Sequence, residues 1–427
     1  MVNHESTKRN GMSKMSDIDL TVTIEGITFK NPVVAASGII TRSVHSVKKC
    51  IEAGAGAVVT KSITFVSGVS GGKWLLPRPA IWLLDKYGDP GSSQNISIGN
   101  LPDKQGVEFV KQIKPITQGA GAVLIANMNL MGDLDAFTEE EALERTGDLA
   151  RKLEAAGADM MEVMRACPID VGRHSGGDWA EASDVDYTEK IIRTIKAAIS
   201  IPFYLKLQTD VTFRNIKRFE DAGVAAHCVY SLLPATVIDI ETGRPILPFP
   251  QPYYGRGITA HENYQTARLA SVATCPIVTS GGTMKGRDVI ERLMCGGTIV
   301  QVMTAAMRYG PQVFADMIDE LKSFMLRKGH ESINDVIGIA VPHVNNPEEY
   351  AQFVKERQVP REAMAMTIDR AQCTGCGQCA VCPYGAIVMK DGFPKWASKI
   401  CEFCGICQTL CPVDAITIRL RTMGKGN

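Results

Sequence analysis

The sequence has no surplus of either charge, since 46 lysines and arginines are matched by 46 aspartates and glutamates. A balanced chain has no basic field with which to gather nucleic acid or an anionic membrane surface. It also lacks an apolar run of the ~20 residues needed to cross a bilayer. Residues 1–17 are polar and hold no apolar core of the kind a secretory signal requires, so they read as a loose tail and the chain as cytoplasmic. A G-x-G-x-x-G after the first strand is missing too. Only GAGA fragments at 54–57 and 119–122 are found, ahead of strands rather than behind them, so a dinucleotide site in this chain is not expected.

Cysteine, by contrast, is abundant and unevenly placed. Eight of the thirteen fall within residues 373–427, in two runs that each end in Cys-Pro. The first is Cys373-x2-Cys376-x2-Cys379-x2-Cys382-Pro383, and the second is Cys401-x2-Cys404-x2-Cys407-x3-Cys411-Pro412. Two-residue gaps let three thiolates of one turn converge on one face of an iron–sulfur cubane. Zinc needs only four ligands per site in CxxC pairs, which fits the triple CxxCxxC poorly. A disulfide framework belongs to small secreted chains. Iron–sulfur chemistry implies single-electron transfer, and therefore a redox role for the rest of the chain. The runs are similar to those of two-cluster bacterial ferredoxins. That resemblance implies that Cys373, Cys376, Cys379 and Cys411 hold one 4Fe–4S cluster, while Cys401, Cys404, Cys407 and Cys382 hold the other. The two-residue gap before Cys382 is one shorter than the usual pattern. Cys50, Cys167, Cys228, Cys275 and Cys295 are scattered, and buried packing is their ordinary role, with Cys167 the exception.

The 427 residues are enough for a barrel-sized domain and a small module. Short apolar runs alternate with helical patterns, and four of them follow a helix end marked by Ala-Gly or Gly-Gly: 53–61, 156–163, 222–231 and 295–304. Glycine there permits a left-handed exit into a parallel strand. The segments at 31–38, 121–129, 201–207 and 275–282 complete eight strands, which predicts a (β/α)8 TIM barrel over 18–310. A doubly wound open sheet is the alternative. A helix and linker at 311–366 then lead to a ferredoxin-like domain at 367–427.

In a barrel, chemistry gathers at the C-terminal strand ends. Lys61 and Lys206 end two strand runs, where each can set positive charge against the anionic edge of a reduced flavin. Ser280-Gly281-Gly282 and Met303-Thr304-Ala305 follow the seventh and eighth strands, where barrels often bind phosphate. Simple tight turns are the alternative reading of those glycines.

At the fourth strand end, Glu162-Val163-Met164-Arg165-Ala166-Cys167-Pro168 resembles the E-L-N-L-S-C-P segment of the dihydroorotate and dihydropyrimidine dehydrogenases. NPVVAASG, VVTKS, YLKL and SGG agree with it, as does the fused cluster module. The resemblance implies an FMN-dependent barrel that reduces or oxidises a C=C bond of a small cyclic, pyrimidine-like or related conjugated carbonyl substrate. Hydride would pass through flavin N5, a proton through Cys167, and electrons through the two clusters. It implies FMN contacts at Ala36, Ser37, Gly38, Lys61, Ser62, Lys206, Ser231, Gly257, Gly281, Gly282, Thr304 and Ala305. Asn95 matches an asparagine that grips the pyrimidine. A second such asparagine is Met164 here, and an Asn-Thr pair is Tyr230-Ser231. An amide offers both a donor and an acceptor to a ring amide, so these departures point to a different substrate. His174, in the glycine-rich stretch after Cys167, is a further candidate substrate contact, with an exposed surface histidine as the alternative. The resemblance also implies an oligomer and an FAD- and NAD(P)-binding partner subunit, with free ferredoxin as the other electron source. Two other readings remain: an electron-transfer subunit whose barrel has lost catalysis, and a zinc protein without flavin.

Overall fold

The computed structural model describes residues 18–66, 81–83, 92–95, 99–130, 133–165, 185–207, 209–230, 233–246, 251–344 and 346–420. The chain forms two compact units, 1–345 and 346–427.

Eight parallel strands form the first unit's core: β1 Val33–Ala35, β2 Ala57–Val59, β3 Val123–Asn129, β4 Met160–Met164, β5 Phe203–Lys206, β6 Ala226–Val229, β7 Ile277–Ser280 and β8 Gly297–Val302. They pair in chain order from β1 to β8, and β8 returns to β1, closing the barrel. Seven lie inside the segments expected from sequence, and β4 runs one residue past its segment, to Met164. Their burial explains why they could be found: β1, β2, β3, β5, β6 and β7 are buried at every position, as strands covered on both faces must be. The helix exits before β2, β4, β6 and β8 are made by Gly54, Gly157, Gly223 and Gly296, whose φ values lie between +97° and +110°. Only glycine adopts that backbone freely.

Each strand is followed by a covering helix: α1 Val44–Glu52, α2 Asp103–Gly119, α3 Glu139–Ala155, α4 Val185–Ala198, α5 Ile216–Ala222, α6 Thr259–Ala270, α7 Gly286–Met294 and α8 Val313–Lys328. Local signals start them. Thr138 caps α3, accepting from Glu141 N while the Glu141 carboxylate accepts from Thr138 N. Phe314, Met317, Leu321 and Met325 of α8 are buried. The segment from 311 is therefore no simple connector: β8 needs its own cover, and the compact unit runs on to 345 rather than 310. Insertions after β2 and β6 build a small antiparallel sheet, ordered Pro234–Ala235, Gln251–Gly255, Ser92–Asn95, Ile81–Leu83.

The barrel also carries a half-buried clip at the N-terminal side of β6 and β7. The Glu220 carboxylate accepts from Thr274 N, Thr274 Oγ1, Cys275 N and the His227 ring, while the Cys275 thiol donates to the Val224 carbonyl. These contacts already account for Glu220, His227 and Cys275 as a hydrogen-bonded tie between strand starts. Burial pushes the His227 imidazole below its usual pKa, against the opposing pull of Glu220. The unfolded chain therefore takes up this proton first, and the stability linked to neutral His227 fades as pH falls below about 6.5. Melting curves at about pH 7.5 and 5.5 should show a larger loss for the native protein than for His227→Gln. Equal losses would contradict this assignment.

In the second unit, Met364–Ile368 pairs antiparallel with Ile416–Leu420, and Ile387–Lys390 pairs with Phe393–Trp396. The unit thus begins before Thr367, because its first strand needs Ile416–Leu420 as partner. Its small core consists of Met366, Ala386, Ile387, Ile416 and the cysteines Cys379, Cys401 and Cys407.

Candidate active site and cysteine hollows

The barrel's register sets the mouth. Asn127, Glu162 and Tyr204 are direct partners across β3, β4 and β5, and two residues further on Asn129, Met164 and Lys206 form the next row. A strand repeats its facing every two residues, so both rows point the same way.

The lower row is polar and dry. Glu162 is 0% exposed and sits among four donors: Asn127 Nδ2 at 2.5 Å, Gln301 Nε2 at 2.5 Å, Tyr204 Oη at 2.9 Å and Lys206 Nζ at 3.4 Å. Lys206 also donates to Gln301 Oε1 at 3.1 Å, and its ammonium lies 4.8 Å from the centre of the Tyr230 ring. Burial, then the Glu162 charge, hold the Tyr204 phenol far above its usual pKa, so it stays a donor. Burial likewise raises the nearby Cys228 thiol and keeps it neutral. Of this network the sequence had singled out only Lys206. A polar residue inside an otherwise apolar strand was the available signal, at Asn127, Glu162 and Gln301.

The expected flavin contacts gather at strand ends. Ala36, Ser37 and Gly38 follow β1, Lys61 and Ser62 follow β2, Lys206 ends β5, Gly281 and Gly282 follow β7, and Thr304 and Ala305 follow β8. Lys61, Ser62, Lys206, Thr304 and Ala305 are all buried. A Cβ on Gly38 would lie 2.1 Å from Met303 Sδ, so the ends of β1 and β8 meet closely. Gly281 and Gly282 are successive left-handed residues with φ of +89° and +77°. A Cβ on Gly282 would come within 2.8 Å of the Thr259 Cα, which excludes any side chain. The Gly281 carbonyl accepts from Arg292 Nη2 at 2.7 Å and the Gly282 carbonyl from Thr259 Oγ1 at 2.6 Å. With both carbonyls turned into the protein, the turn suits a phosphate approaching its N–H side. Gly257 lies at the foot of the inserted sheet, where a Cβ would strike the Tyr253 ring.

Of the substrate candidates, Met164 is half-buried beside Lys206 in register, and Tyr230 is buried under the Lys206 ammonium. Asn95 ends the strand Ser92–Asn95, opposite Ile81. Cys167, His174 and Ser231 lie outside the described residues. Arg165 is 2% exposed, 3.7 Å from the buried Asp133 carboxylate and stacked 4.2 Å over the Tyr187 ring, whose hydroxyl donates to Asp133 at 2.8 Å.

The residues fit FMN on one further observation: Asn127 Oδ1 is buried without a hydrogen-bond donor. Standing one row below Asn129, Met164 and Lys206, it gives an unsatisfied acceptor that a ring N–H would fill.

In the second unit the eight cysteines line two hollows. Cys373, Cys376, Cys379 and Cys411 line the first, and Cys382, Cys401, Cys404 and Cys407 the second. The runs thus exchange their fourth members, and the short gap before Cys382 does not prevent it. Gly375 and Phe403 stand at matching places between the first two cysteines of each run, with φ of 71° and 52°. Burial pushes the Cys382 thiol up, yet the backbone N–H groups of Tyr384, Ala386, Ile387 and Gly385 bring it below its usual value. That favours the thiolate, the form that ligates iron.

This site and this fold define a class, an oxidoreductase built on a dihydroorotate dehydrogenase-like barrel. The family model for dihydroorotate dehydrogenase matches residues 138–325. The chain is 29% identical over 334 residues to the catalytic subunit of dihydroorotate dehydrogenase B (NAD(+)) of Thermoplasma volcanium, covering 76% of this chain and 99% of that one. It is 26% identical over 431 residues to subunit PreA of the NAD-dependent dihydropyrimidine dehydrogenase of Escherichia coli K12, covering 96% and 97%. That match covers nearly all of the chain, well beyond the barrel alone. The crystal structure of dihydroorotate dehydrogenase of Eimeria tenella, in complex with ferulenol, superposes with a TM-score of 0.57 over 75% of this chain and 88% of that one, at 19% identity, a likeness of fold. Among the described residues, no helix is long and apolar enough to cross a membrane.

Proposed function

We propose that this chain is an FMN- and iron–sulfur-dependent oxidoreductase acting on a CH–CH bond of a small cyclic, conjugated carbonyl compound, in one complex with a separate electron-transfer subunit. The observation that carries this reading is the buried Lys206, held at the mouth of a dihydroorotate dehydrogenase-like barrel with Lys61 and the Gly281-Gly282 turn. Bound FMN supplies hydride transfer to or from the substrate carbon. Lys61, Lys206, Gly281, Gly282, Thr304 and the other strand-end residues hold the cofactor. Cys167 exchanges the proton on the neighbouring carbon, and a thiol with an ordinary pKa of about 8.5 serves both directions near neutral pH. The two cysteine hollows hold 4Fe–4S clusters that connect the flavin with the partner, an FAD- and NAD(P)-binding subunit or a ferredoxin.

The substrate departs from uracil. Met164 and Tyr230 offer apolar surface and an aromatic face where a pyrimidine would meet amides, and a ring amide left without partners is strongly disfavoured. In an anaerobic screen, one compound class should react with the flavin directly. An unsaturated ring such as uracil, thymine or another conjugated cyclic compound would do so by reoxidising the reduced flavin, and a saturated one such as dihydroorotate by reducing the oxidised flavin. Flavin that cycles only with a redox partner would instead support a barrel confined to electron transfer, the reading favoured by the lost amides. Met164→Asn should restore part of the grip, tightening uracil by about tenfold, the value of one net hydrogen bond. Unchanged uracil binding would remove Met164 from the specificity surface.

A further inference from the structure

Glu162 is the one carboxylate in the row beneath the mouth, and its surroundings are unusual. It is fully buried, yet it spans four strands: its donors come from β3 (Asn127), β5 (Tyr204 and Lys206) and β8 (Gln301), while it stands on β4. A lone buried carboxylate would be costly, and three neutral donors plus one ammonium are what make it tolerable. The same contacts bind Lys206 from below, with Glu162 at 3.4 Å and Gln301 Oε1 at 3.1 Å, while Tyr230 lies against its ammonium. The Lys206 positive charge thus arrives with its counter-charge built in. Packing alone does not require this, because an apolar layer fills barrel interiors elsewhere.

We propose that Glu162 is a positioning residue that sets the reduction potential of the flavin, by fixing the Lys206 ammonium and cancelling part of its charge. The proposal rests on the FMN reading above. A reduced flavin carries negative charge at its N1–C2=O edge, so a bare ammonium there would favour the reduced form. Glu162 offsets that attraction and keeps the flavin a readier electron donor. Its four hydrogen bonds hold the ammonium in one place, and they also decide how strongly the carboxylate is felt. Tyr204 matters for the second reason, because its hydroxyl spreads part of the carboxylate's charge without bearing a charge of its own.

Two substitutions of equal volume should shift the potential in opposite directions. Glu162→Gln removes the negative charge and keeps an acceptor for Asn127 and Gln301. At a fixed potential its ratio of reduced to oxidised flavin should rise at least tenfold, about 30 mV for a two-electron couple. Tyr204→Phe leaves the carboxylate with one donor fewer and should lower the ratio by about threefold, the value of part of one hydrogen bond. Anaerobic potentiometric titration of the purified holoenzymes reads both, with FMN content measured on the same samples. A general packing defect would move both variants the same way, so opposite signs support the proposal. Flavin-replete variants with the native potential, or with shifts of one sign, overturn it. Should Glu162→Gln fail to fold, an unshifted Tyr204→Phe overturns it alone. A native protein purified without flavin overturns the FMN reading itself, and this proposal with it.

Discussion

Cys167→Ala is expected to keep bound flavin and to lower turnover by about 10²- to 10⁴-fold, the range supplied by one well-placed general acid or base. The described flavin contacts proposed for this chain lie at the ends of β1, β2, β5, β7 and β8 and at Gly257 by the inserted sheet, and Cys167 is not among them. Removing the thiol therefore takes away proton exchange at carbon and leaves the cofactor's pocket whole. Arg165, two residues earlier in the sequence, is buried against Asp133 and Tyr187. A serine at 167 should rescue little, since its hydroxyl is a far weaker acid than a thiol at neutral pH. Single-turnover flavin reoxidation by substrate, monitored with the absorbance of bound flavin, separates the two effects. Native turnover in Cys167→Ala would exclude the thiol from the reaction.

The second large effect is expected at Arg292, which never meets the substrate. Its side chain is 0% exposed, with Nη2 on the Gly281 carbonyl at 2.7 Å and Nη1 on Thr266 Oγ1 at 3.4 Å. Burial pushes the guanidinium down to about 10, countered chiefly by the buried Glu262 carboxylate. It remains charged at neutral pH. Arg292→Ala would take a positive charge away from the field at the buried Glu262 carboxylate and free the turn that holds Gly281. Leaving buried charge less compensated costs up to about 3–5 kcal/mol, and the loosened turn should also release FMN. Arg292→Lys keeps the charge but loses the two-pronged geometry, and should fall between the two. Chemical denaturation together with flavin retention after gel filtration measures both consequences. An alanine variant with native stability would show that Glu262 is neutral in the fold.

How far the sequence could be read depended on whether a feature was local. The eight strands were legible because each is a short buried run, four of them entered through a glycine that only a left-handed exit requires. The cysteine sets were legible because spacing within a run is chemistry in itself, and the exchange of Cys382 and Cys411 between hollows agrees with them. The row formed by Asn127, Glu162, Tyr204 and Gln301 was not. Its members are up to 174 positions apart (127 to 301), and strand register alone brings them to one layer. The role of α8 was also hidden, since an amphipathic helix does not announce which core it covers. The inserted sheet over 81–83, 92–95, 234–235 and 251–255 is built from pairs too short and too distant to stand out.

The most direct measurement is the content of anaerobically purified protein. About one FMN and about eight irons per chain, with matching sulfide, is the result that follows from a flavin barrel joined to two cubane-binding hollows. Protein that carries zinc in the cysteine hollows and no flavin in the barrel would contradict it.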